Sequence, residues 1–382
     1  MKDGDRMRIT RALFIVITDQ PGGAERVAFN VATELSRRGW NIDVEIACSR
    51  APQSFSQEAA PARARIRYGW LSNVYFSFAL LPARLIGRRY DLIFTTHVYA
   101  NALVSILRRL RLLRAARFVA RESTSLFDRE SGLRRHLFAW LYRRYGEEDL
   151  LIAQTSYMAG HAAARLPSRS VNHMHILPNP LDAPSITQAA SLPLEPEVRI
   201  LLSRGRNILF CGRLIACKNP LLALDTFRLM VDSDSAERLV FVGDGDLERD
   251  LRAEADRSGL KERVLFLGQR LNPYPIMAAC EVGMVTSTIE GFPNVVLEMM
   301  ACGIRKIVVT PCAGDLDQLP GVTVTNSFEA SEIAGVVRRA LESNEDRSEE
   351  YRQFAASRSV GRYLDEVLRL APADAQERGA NV

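Results

Sequence analysis

RALFIVIT (residues 11–18), followed by AERVAFNVATELSRRG (residues 24–39), sets the fold class of this chain. The first segment is a continuous apolar run, which is typical of a strand buried on both faces of a parallel sheet. The second has apolar residues at helical spacing and ends at Gly39, a typical C-terminal helix cap. The segments IDVEIAC (42–48), DLIFTTHV (91–98) and RFVARES (117–123) continue the strand signal. The alternation predicts an α/β domain with a doubly wound parallel sheet.

The same alternation restarts in the second half of the chain. NILFCG (207–212), RLVFVGDG (238–245), VGMVTS (282–287) and KIVVT (306–310) are predicted strands separated by helical segments. Residues 183–206 contain prolines and serines without a strong period, so we interpret them as an interdomain linker. The sequence therefore predicts two Rossmann-like doubly wound domains, residues 1–182 and 207–350, that face each other across a cleft.

Length and composition agree with two soluble domains. The chain has 382 residues, 47% hydrophobic and 25% charged, with a formal net charge of +5. Six scattered cysteines without a CxxC pair indicate reduced thiols in a cytoplasmic protein. No apolar run approaches the roughly 20 residues needed to span a bilayer. We expect a cytoplasmic protein, at most peripheral on the inner face of the plasma membrane.

Chemistry in such domains is expected at the turns that follow the carboxyl ends of the strands. In TDQPGGAER (18–26), Gly22 and Gly23 either form a tight turn or expose backbone N–H groups to a phosphate or sugar. In CGRLIACKNP (211–220), Arg213 and Lys218 are either solvated or bind one anionic group together. In FVGDGDLERD (241–250), Gly243 permits a tight turn, and a structural role alone would explain it.

The turn EGFPNVVLE (290–298) places two carboxylates around the start of a predicted helix. Glu290 precedes the turn, and Glu298 lies one helical turn beyond Asn294 on the same face. Free N–H groups at the positive end of this helix could hold a diphosphate, and each carboxylate could accept hydrogen bonds from vicinal sugar hydroxyls. The residues of the turn that would surround the diphosphate are Phe292, Pro293, Asn294 and Val295.

Four segments in this order and spacing resemble the C-terminal half of family 4 glycosyltransferases of GT-B fold: GRLIACKNP, FVGDGDL, VLFLGQ and STIEGFPNVVLEMMACG. PGGAERVAFNVATELSRRG resembles their N-terminal glycine loop and first helix. The match is specific over residues 205–315 and weaker over 10–125. The tail 351–370 resembles the family's final helix, which packs back on the first domain.

The resemblance implies a retaining transferase that uses a nucleotide diphosphate sugar, with UDP favoured over GDP, and needs no metal or other cofactor. It assigns Arg213 and Lys218 to the diphosphate, Glu298 to the ribose hydroxyls and Glu290 to the donor sugar. Residues matching Arg270 and Leu271 lie near the base, and those matching Gly22 and Gly23 approach donor phosphate or sugar. The expected acceptor is a glycan or a polyprenyl-diphosphate-linked glycan of bacterial surface polysaccharide synthesis.

Departures from the family pattern concern the first domain. Arg121 and Glu122 stand where many relatives carry a cleft histidine, whereas His97 matches another position where relatives often have histidine. His97 is therefore a candidate catalytic residue. Alternatively, its imidazole lies in the core and forms a hydrogen bond with a backbone carbonyl. The candidates for the acceptor side are Glu25, His97, Arg121 and Glu122.

Alternatives remain open on partners and on function. The apolar and basic segments 75–90 and 103–117 either pack on the sheet with a solvated arginine face or dock on anionic lipid. No nucleic-acid-binding module is visible, and His173 and His175 lack neighbouring metal ligands. Besides a transferase, the sequence allows a non-catalytic nucleotide-sugar-binding subunit or a nucleotide-sugar epimerase of similar fold.

Overall fold

The computed structural model describes residues 10–19, 22–48, 61–71, 73–123, 132–232 and 236–371. The chain forms two compact units. The first contains the described residues up to Pro180 and again from Val360, and the second comprises Leu181–Ser359. Within the described ranges, no helix is long and apolar enough to cross a membrane.

The first unit is built on a parallel sheet. The described strands follow the order β3-β2-β1-β5-β7-β8-β9, while β4 and β6 pair only with each other. Ala12 of β1 lies opposite Ile42 of β2 and Leu92 of β5, so the first apolar segment is an interior strand with a neighbour on each side. The strands are β1 Arg11–Val16, β2 Asn41–Ile46, β3 Ala64–Tyr68, β4 Arg89–Tyr90, β5 Leu92–Thr95, β6 Arg114–Ala115, β7 Phe118–Arg121, β8 Leu150–Ala153 and β9 Met174–Ile176.

Helices cover both faces of this sheet because successive side chains of each strand point in opposite directions. Phe14 packs with Leu35 of the first helix, whereas Leu13 packs on the opposite face with Leu107 and Phe138 of later helices. The helices are α1 Gly23–Arg37, α2 Val74–Leu85, α3 Val98–Arg109, α4 Gly132–Tyr142, α5 Ser156–Ala163 and α6 Ser168–Asn172.

The second unit repeats the plan with a parallel sheet in the order β12-β11-β10-β13-β14-β15 among the described residues. Its strands are β10 Arg206–Cys211, β11 Glu237–Val242, β12 Val264–Phe266, β13 Val282–Val285, β14 Lys306–Val309 and β15 Thr323–Val324. Its helices are α7 Ala183–Ala190, α8 Pro196–Leu202, α9 Pro220–Met230, α10 Glu248–Arg257, α11 Tyr274–Ala278, α12 Asn294–Cys302 and α13 Ala330–Glu342. The prediction of two Rossmann-like α/β domains is confirmed.

The predicted linker over 183–206 needs correction, because it contains α7 and α8. Ile186 of α7 and Val198 of α8 are buried in the core of the second unit. Each helix has a proline in its first turn, and the Asp182 side chain caps α7 by accepting from Ser185 N at 3.3 Å. Proline is favoured at this position because the first N–H groups of a helix have no partner within the helix. The second unit therefore begins at Leu181.

The tail predicted as one helix over 351–370 consists of two, α14 Ser348–Ser357 and α15 Val360–Leu370. Tyr351 of α14 is buried in the core of the second unit, whereas Leu364 of α15 is buried in the core of the first. The chain changes unit between Ser359 and Val360. Only the second half of the predicted helix therefore packs on the first domain.

Candidate functional site

The loops after β10, β13 and β14 are bound to one another at the carboxyl edge of the second sheet. These strands are neighbours in the sheet. Thr288 N donates to the Cys217 carbonyl at 2.9 Å, and Thr310 Oγ1 donates to the Ser287 carbonyl at 2.6 Å. The first bond joins two backbone groups, and the second joins a threonine side chain to a backbone carbonyl. These connected loops, which carry Arg213, Lys218 and Glu290, form a fixed frame.

Lys218 and Glu290, which are 72 positions apart in the sequence, form an ion pair on this frame. The Lys218 ammonium donates to Glu290 Oε1, and Ser287 Oγ donates to the same oxygen at 2.8 Å. The Glu290 backbone N–H donates to the Cys312 carbonyl at 2.7 Å, which fixes the position of the residue. Their side chains are 23% and 16% exposed, so a ligand can reach both charges. Burial raises the pKa of the adjacent Cys312 thiol to about 12, and the Glu290 carboxylate adds to this shift.

Arg213 lies on the same loop as Lys218 and is exposed. Within the part of the chain that the structure describes, its guanidinium has no hydrogen-bond or ion-pair partner. Its loop is bound to the loop after β11, because Leu214 N donates to the Asp244 carbonyl at 2.7 Å. Gly243 permits this approach, since a Cβ there would lie 2.0 Å from the Gly212 carbonyl oxygen. Gly243 therefore has a structural role beside the loop of Arg213.

The helix α12 begins directly after the Glu290 loop, with Pro293 as its N-cap residue. The N-cap side chain makes no capping hydrogen bond. Phe292 and Val295 pack against the core of the second unit and hold this end of the helix in place. Asn294 and Glu298 share a helix face at four-residue spacing, and both side chains are partly buried.

Arg270 and Leu271, predicted near the nucleotide base, occupy the loop after β12. The Arg270 guanidinium forms an ion pair with Glu195, with both carboxylate oxygens at 2.9 Å, and also donates to the Leu267 carbonyl at 3.0 Å. Leu271 is 73% exposed. Sequence reasoning missed Glu195 because it lies in the segment interpreted as a linker. An acidic residue directly before Pro196 was the available signal for a helix start.

The remaining candidates belong to the first unit. Gly22 is the N-cap residue of α1, Gly23 begins the helix, and Glu25 in the first turn is buried. His97 is the N-cap residue of α3 and is partly buried, and its carbonyl accepts from Asn101 N at 2.8 Å. These positions agree with a strand-to-helix turn at each site. Their proposed contacts with ligand stay predictions.

Arg121 and Glu122 lie in the interior of the first unit, at 1% and 2% exposure. The Arg121 guanidinium donates to the Asn179 side chain and lies near Tyr363 and Glu25, and burial lowers its pKa. Both side chains are therefore buried within the first unit, and their predicted place on the acceptor side stays a prediction. Arg121 is the last residue of β7, and its side chain points inward at a position where the sequence left the direction open.

Three donors surround the Glu122 carboxylate. Oε1 accepts from Asn101 Nδ2 at 3.0 Å and from Tyr145 OH at 2.7 Å, and Oε2 accepts from Tyr142 OH at 2.5 Å. Burial raises the pKa of Glu122, although these hydrogen bonds oppose the shift. The carboxylate is therefore committed to contacts inside the unit.

Comparisons with known proteins cover both units. Residues 21–183 match the family model described as Glycosyltransferase Family 4, and residues 205–343 match the model described as Glycosyl transferases group 1. A crystal structure of Anabaena Alr3699/HepE in complex with UDP superposes with a TM-score of 0.75 at 19% identity, covering 94% of this chain and 99% of that one. At this identity the likeness concerns the fold.

Two curated bacterial relatives match part of the chain. The first is the N-acetylgalactosamine-N,N'-diacetylbacillosaminyl-diphospho-undecaprenol 4-alpha-N-acetylgalactosaminyltransferase of Campylobacter jejuni, 36% identical over 37% of this chain and 36% of its own length. The second is the UDP-Gal:alpha-D-GlcNAc-diphosphoundecaprenol alpha-1,3-galactosyltransferase of Escherichia coli, 31% identical over 35% of each chain. The aligned segments thus span little more than a third of these relatives. From the two family models and the two parallel-sheet units, the chain belongs to the family 4 glycosyltransferases of GT-B type.

Proposed function

We propose that the protein transfers a hexose or N-acetylhexosamine from a nucleoside diphosphate sugar to a glycan or polyprenyl-diphosphate-linked glycan, with retention of configuration. The proposed context is the synthesis of a bacterial surface polysaccharide. Both curated relatives are named for acceptors carried on diphospho-undecaprenol, which supports a lipid-linked acceptor. The UDP-Gal in the name of one relative and the UDP in the Anabaena structure support a UDP-sugar rather than a GDP-sugar.

The observation that carries the proposal is the ion pair between Lys218 and Glu290, the latter four residues before the first residue of α12. Lys218 and Glu290 are in contact, and Arg213 extends from the same loop as Lys218. A diphosphate leaving group gains negative charge as the glycosidic bond breaks. A planar guanidinium, a point-charge ammonium and the positive end of a helix can all stabilise that charge. We therefore assign the diphosphate to Arg213, Lys218 and the first turn of α12.

The ion pair between Lys218 and Glu290 suggests how donor binding changes the site. Diphosphate oxygens compete with the Glu290 carboxylate for the Lys218 ammonium. The released carboxylate, still anchored by Ser287 and by its own backbone N–H, can then accept hydrogen bonds from hydroxyls of the donor sugar. Glu298, one helical turn inside α12, is the proposed partner of the ribose hydroxyls.

Side chains supply the positive charge in this proposal, so turnover should not require a divalent cation. Activity measured in the presence of excess chelator tests this point. The stereochemistry of the transferred sugar, read by NMR of the product anomer, tests retention. A product of inverted configuration would contradict the proposed retaining reaction.

The variant Lys218→Ala tests the diphosphate site. We expect acceptor-dependent release of nucleoside diphosphate to fall by about 10²- to 10³-fold, since one positioned charge at the leaving group is lost. Lys261→Ala is the matched control, because that lysine is 71% exposed in the second unit and lies outside the site. Equal turnover in the two variants would contradict the proposal.

The variant Glu290→Gln separates binding from catalysis. It removes the carboxylate that holds Lys218, so we expect UDP to bind several-fold more tightly in calorimetry while turnover falls about 100-fold. A binding subunit would show neither acceptor-dependent turnover in the native chain nor a loss in the variant. An epimerase would form an isomer without acceptor, so product analysis with and without acceptor distinguishes all three functions.

A further inference from the structure

The first unit contains two long segments that carry many arginines and almost no acidic residues. Residues 61–121 contain twelve arginines and a single acidic residue, Asp91. Residues 132–146 contain four arginines and no Asp or Glu. The second segment includes the helix α4. Within 61–121, several arginines are already neutralised or buried: Arg67, Arg84, Arg108 and Arg109 form ion pairs with carboxylates outside the segment, and Arg121 is buried. The exposed arginines on and beside α4 therefore carry the argument for an anionic partner.

The helix α4 exposes apolar side chains along one face. Leu133 is 89% exposed, Leu137 36% and Trp140 45%. Their spacing of four and three residues places them in one stripe, whereas Phe138, Leu141 and Tyr142 of the same helix are buried. Large apolar side chains aligned in this way on a helix surface, rather than scattered singly, mark an interaction site.

Arginines frame this apolar stripe. Arg134, Arg135 and Arg143 are exposed on α4 and just after it. The Arg144 guanidinium lies 4.5 Å from the centre of the Trp140 ring. Tryptophan and arginine both combine an apolar body with a polar end, which suits the boundary between lipid headgroups and acyl chains.

The helix α2 adds a second exposed apolar face to the same layer of helices. Phe76 is 66% exposed and Leu80 is 45% exposed, whereas Leu81 and Leu85 are buried. The Arg84 guanidinium, bound to Glu45 at 2.6 Å, anchors the inner side of the helix. The outer side of α2 is therefore held toward solvent.

A row of aromatic rings fixes α2 and α4 on either side of α3. The ring centroids of Phe78 and Tyr99 are 5.6 Å apart, and those of Tyr99 and Phe138 are also 5.6 Å apart. The helix α3 itself buries Val104 and Leu107. Within the basic segment 103–117, α3 thus packs on the sheet. The helix α2, within the predicted segment 75–90, remains a candidate surface, and α4 is added to it.

We propose that the outer faces of α4 and α2 dock on an anionic lipid surface, with Leu133, Leu137 and Trp140 as the inserted residues. Apolar insertion and arginine attraction to anionic headgroups act together in such docking. A second copy of this chain is a poorer partner, because a twofold contact through this face would bring the arginines of α4 against their own copies. The inference does not depend on the proposed transferase reaction, since docking can be measured without any nucleotide sugar.

Vesicle flotation tests the proposal with the intact chain. We expect binding to vesicles of phosphatidylcholine with phosphatidylglycerol, much weaker binding to phosphatidylcholine alone, and release at high salt. The triple variant Leu133→Ser, Leu137→Ser and Trp140→Ser should lower the partition coefficient by at least about tenfold. The double variant Arg134→Gln and Arg135→Gln should lower it on the order of tenfold, on anionic vesicles only.

A matched control removes three apolar side chains of similar exposure from the second unit. Leu192, Ile200 and Leu229 are 53%, 53% and 47% exposed. Their replacement by serine should leave flotation unchanged and supports the proposal if it does. The proposal is overturned if both triple variants lose binding equally or if the α4 variant binds like the native chain. It is also overturned if the native chain shows no vesicle binding and the α4 variant only converts a dimer to a monomer in sedimentation.

Discussion

The surroundings of the Glu122 carboxylate disfavour its charged form. Burial raises its pKa, the neighbouring Glu148 adds to the shift, and hydrogen bonds from Tyr142, Tyr145 and Asn101 reduce it. Because the pKa is higher in the folded than in the unfolded state, the folded state keeps the proton to higher pH. The stabilising contribution of Glu122 is therefore fully present below the unfolded pKa and is lost as the pH rises towards the folded pKa.

The variant Glu122→Gln should remove this dependence while keeping the shape of the side chain. We expect the free energy of unfolding of the native chain to fall relative to that of the variant as the pH rises from 4.5, the ordinary value, through the raised pKa. Denaturant titrations at several pH values measure the difference. The exposed Glu342→Gln is the control, and a constant difference between native chain and Glu122→Gln would contradict the assigned shift.

The sequence did not indicate whether the side chains of Arg121 and Glu122 point into the core or towards solvent. The sequence showed Arg121 and Glu122 after a predicted strand, which placed them near a functional edge. Their burial depends on Asn179, Tyr142 and Tyr145, which come from distant parts of the chain. Lys218 and Glu290 come together because they follow the neighbouring strands β10 and β13. Predicting their ion pair from the sequence therefore requires the strand order or the family motif.

Among the elements, the turn between β11 and α10 depends on a glycine without a side chain. Gly243 has φ of 139°, and a Cβ there would lie 2.0 Å from the Gly212 carbonyl oxygen. We expect Gly243→Ala to lower the free energy of unfolding of the second unit by about 2 kcal/mol or more, since both the backbone and the β10 loop must shift. Chemical denaturation monitored by circular dichroism provides the measurement.

Gly335→Ala is the matched control for this prediction. Gly335 lies inside α13, where an added Cβ would approach the Arg339 side chain no closer than 3.5 Å. Alanine in a helix interior is favoured over glycine, so we expect this variant to gain about 0.5–1 kcal/mol. Equal changes in the two variants would show that the close approach at Gly243 does not limit the fold.

The sequence predicted the strands and long helices more accurately than the short helices. RALFIVIT corresponds to β1 and AERVAFNVATELSRRG to α1, because continuous apolar runs and helical spacing report burial directly. The helices α7 and α8 have eight and seven residues, too few to show a clear period. Their prolines act as helix starts, a role that the sequence alone does not distinguish from a break.

At the scale of the whole molecule, the two C-terminal helices stabilise different units. Tyr351 of α14 is buried in the second unit and donates to the Gly321 carbonyl at 2.7 Å, and Leu364 of α15 is buried in the first. We expect Leu364→Ala to accelerate hydrogen exchange in β1 and β2 while β10 and β13 keep their protection. A loss of about 2–5 kcal/mol is typical of such a cavity.

Tyr351→Ala is the reciprocal test. It should accelerate exchange in β10 and β13 and leave β1 and β2 protected, although the two sites are only thirteen positions apart. Mass spectrometry of peptide fragments resolves both patterns. If either variant loosened all four strands alike, the assignment of one helix to each unit would be wrong. The sequence analysis did not predict this division, because the resemblance suggested a single final helix over 351–370.

The backbone pairing at the border of the second unit has a further consequence. Leu181 N donates to the Arg358 carbonyl at 2.7 Å, and Leu181 pairs with Ser359, so the two ends of this unit are held side by side. The second unit is thus an insertion that can be excised or replaced as one cassette at two adjacent junctions. Recombination at these two junctions would exchange the half that carries the proposed donor site and leave the sequence of the other half unchanged.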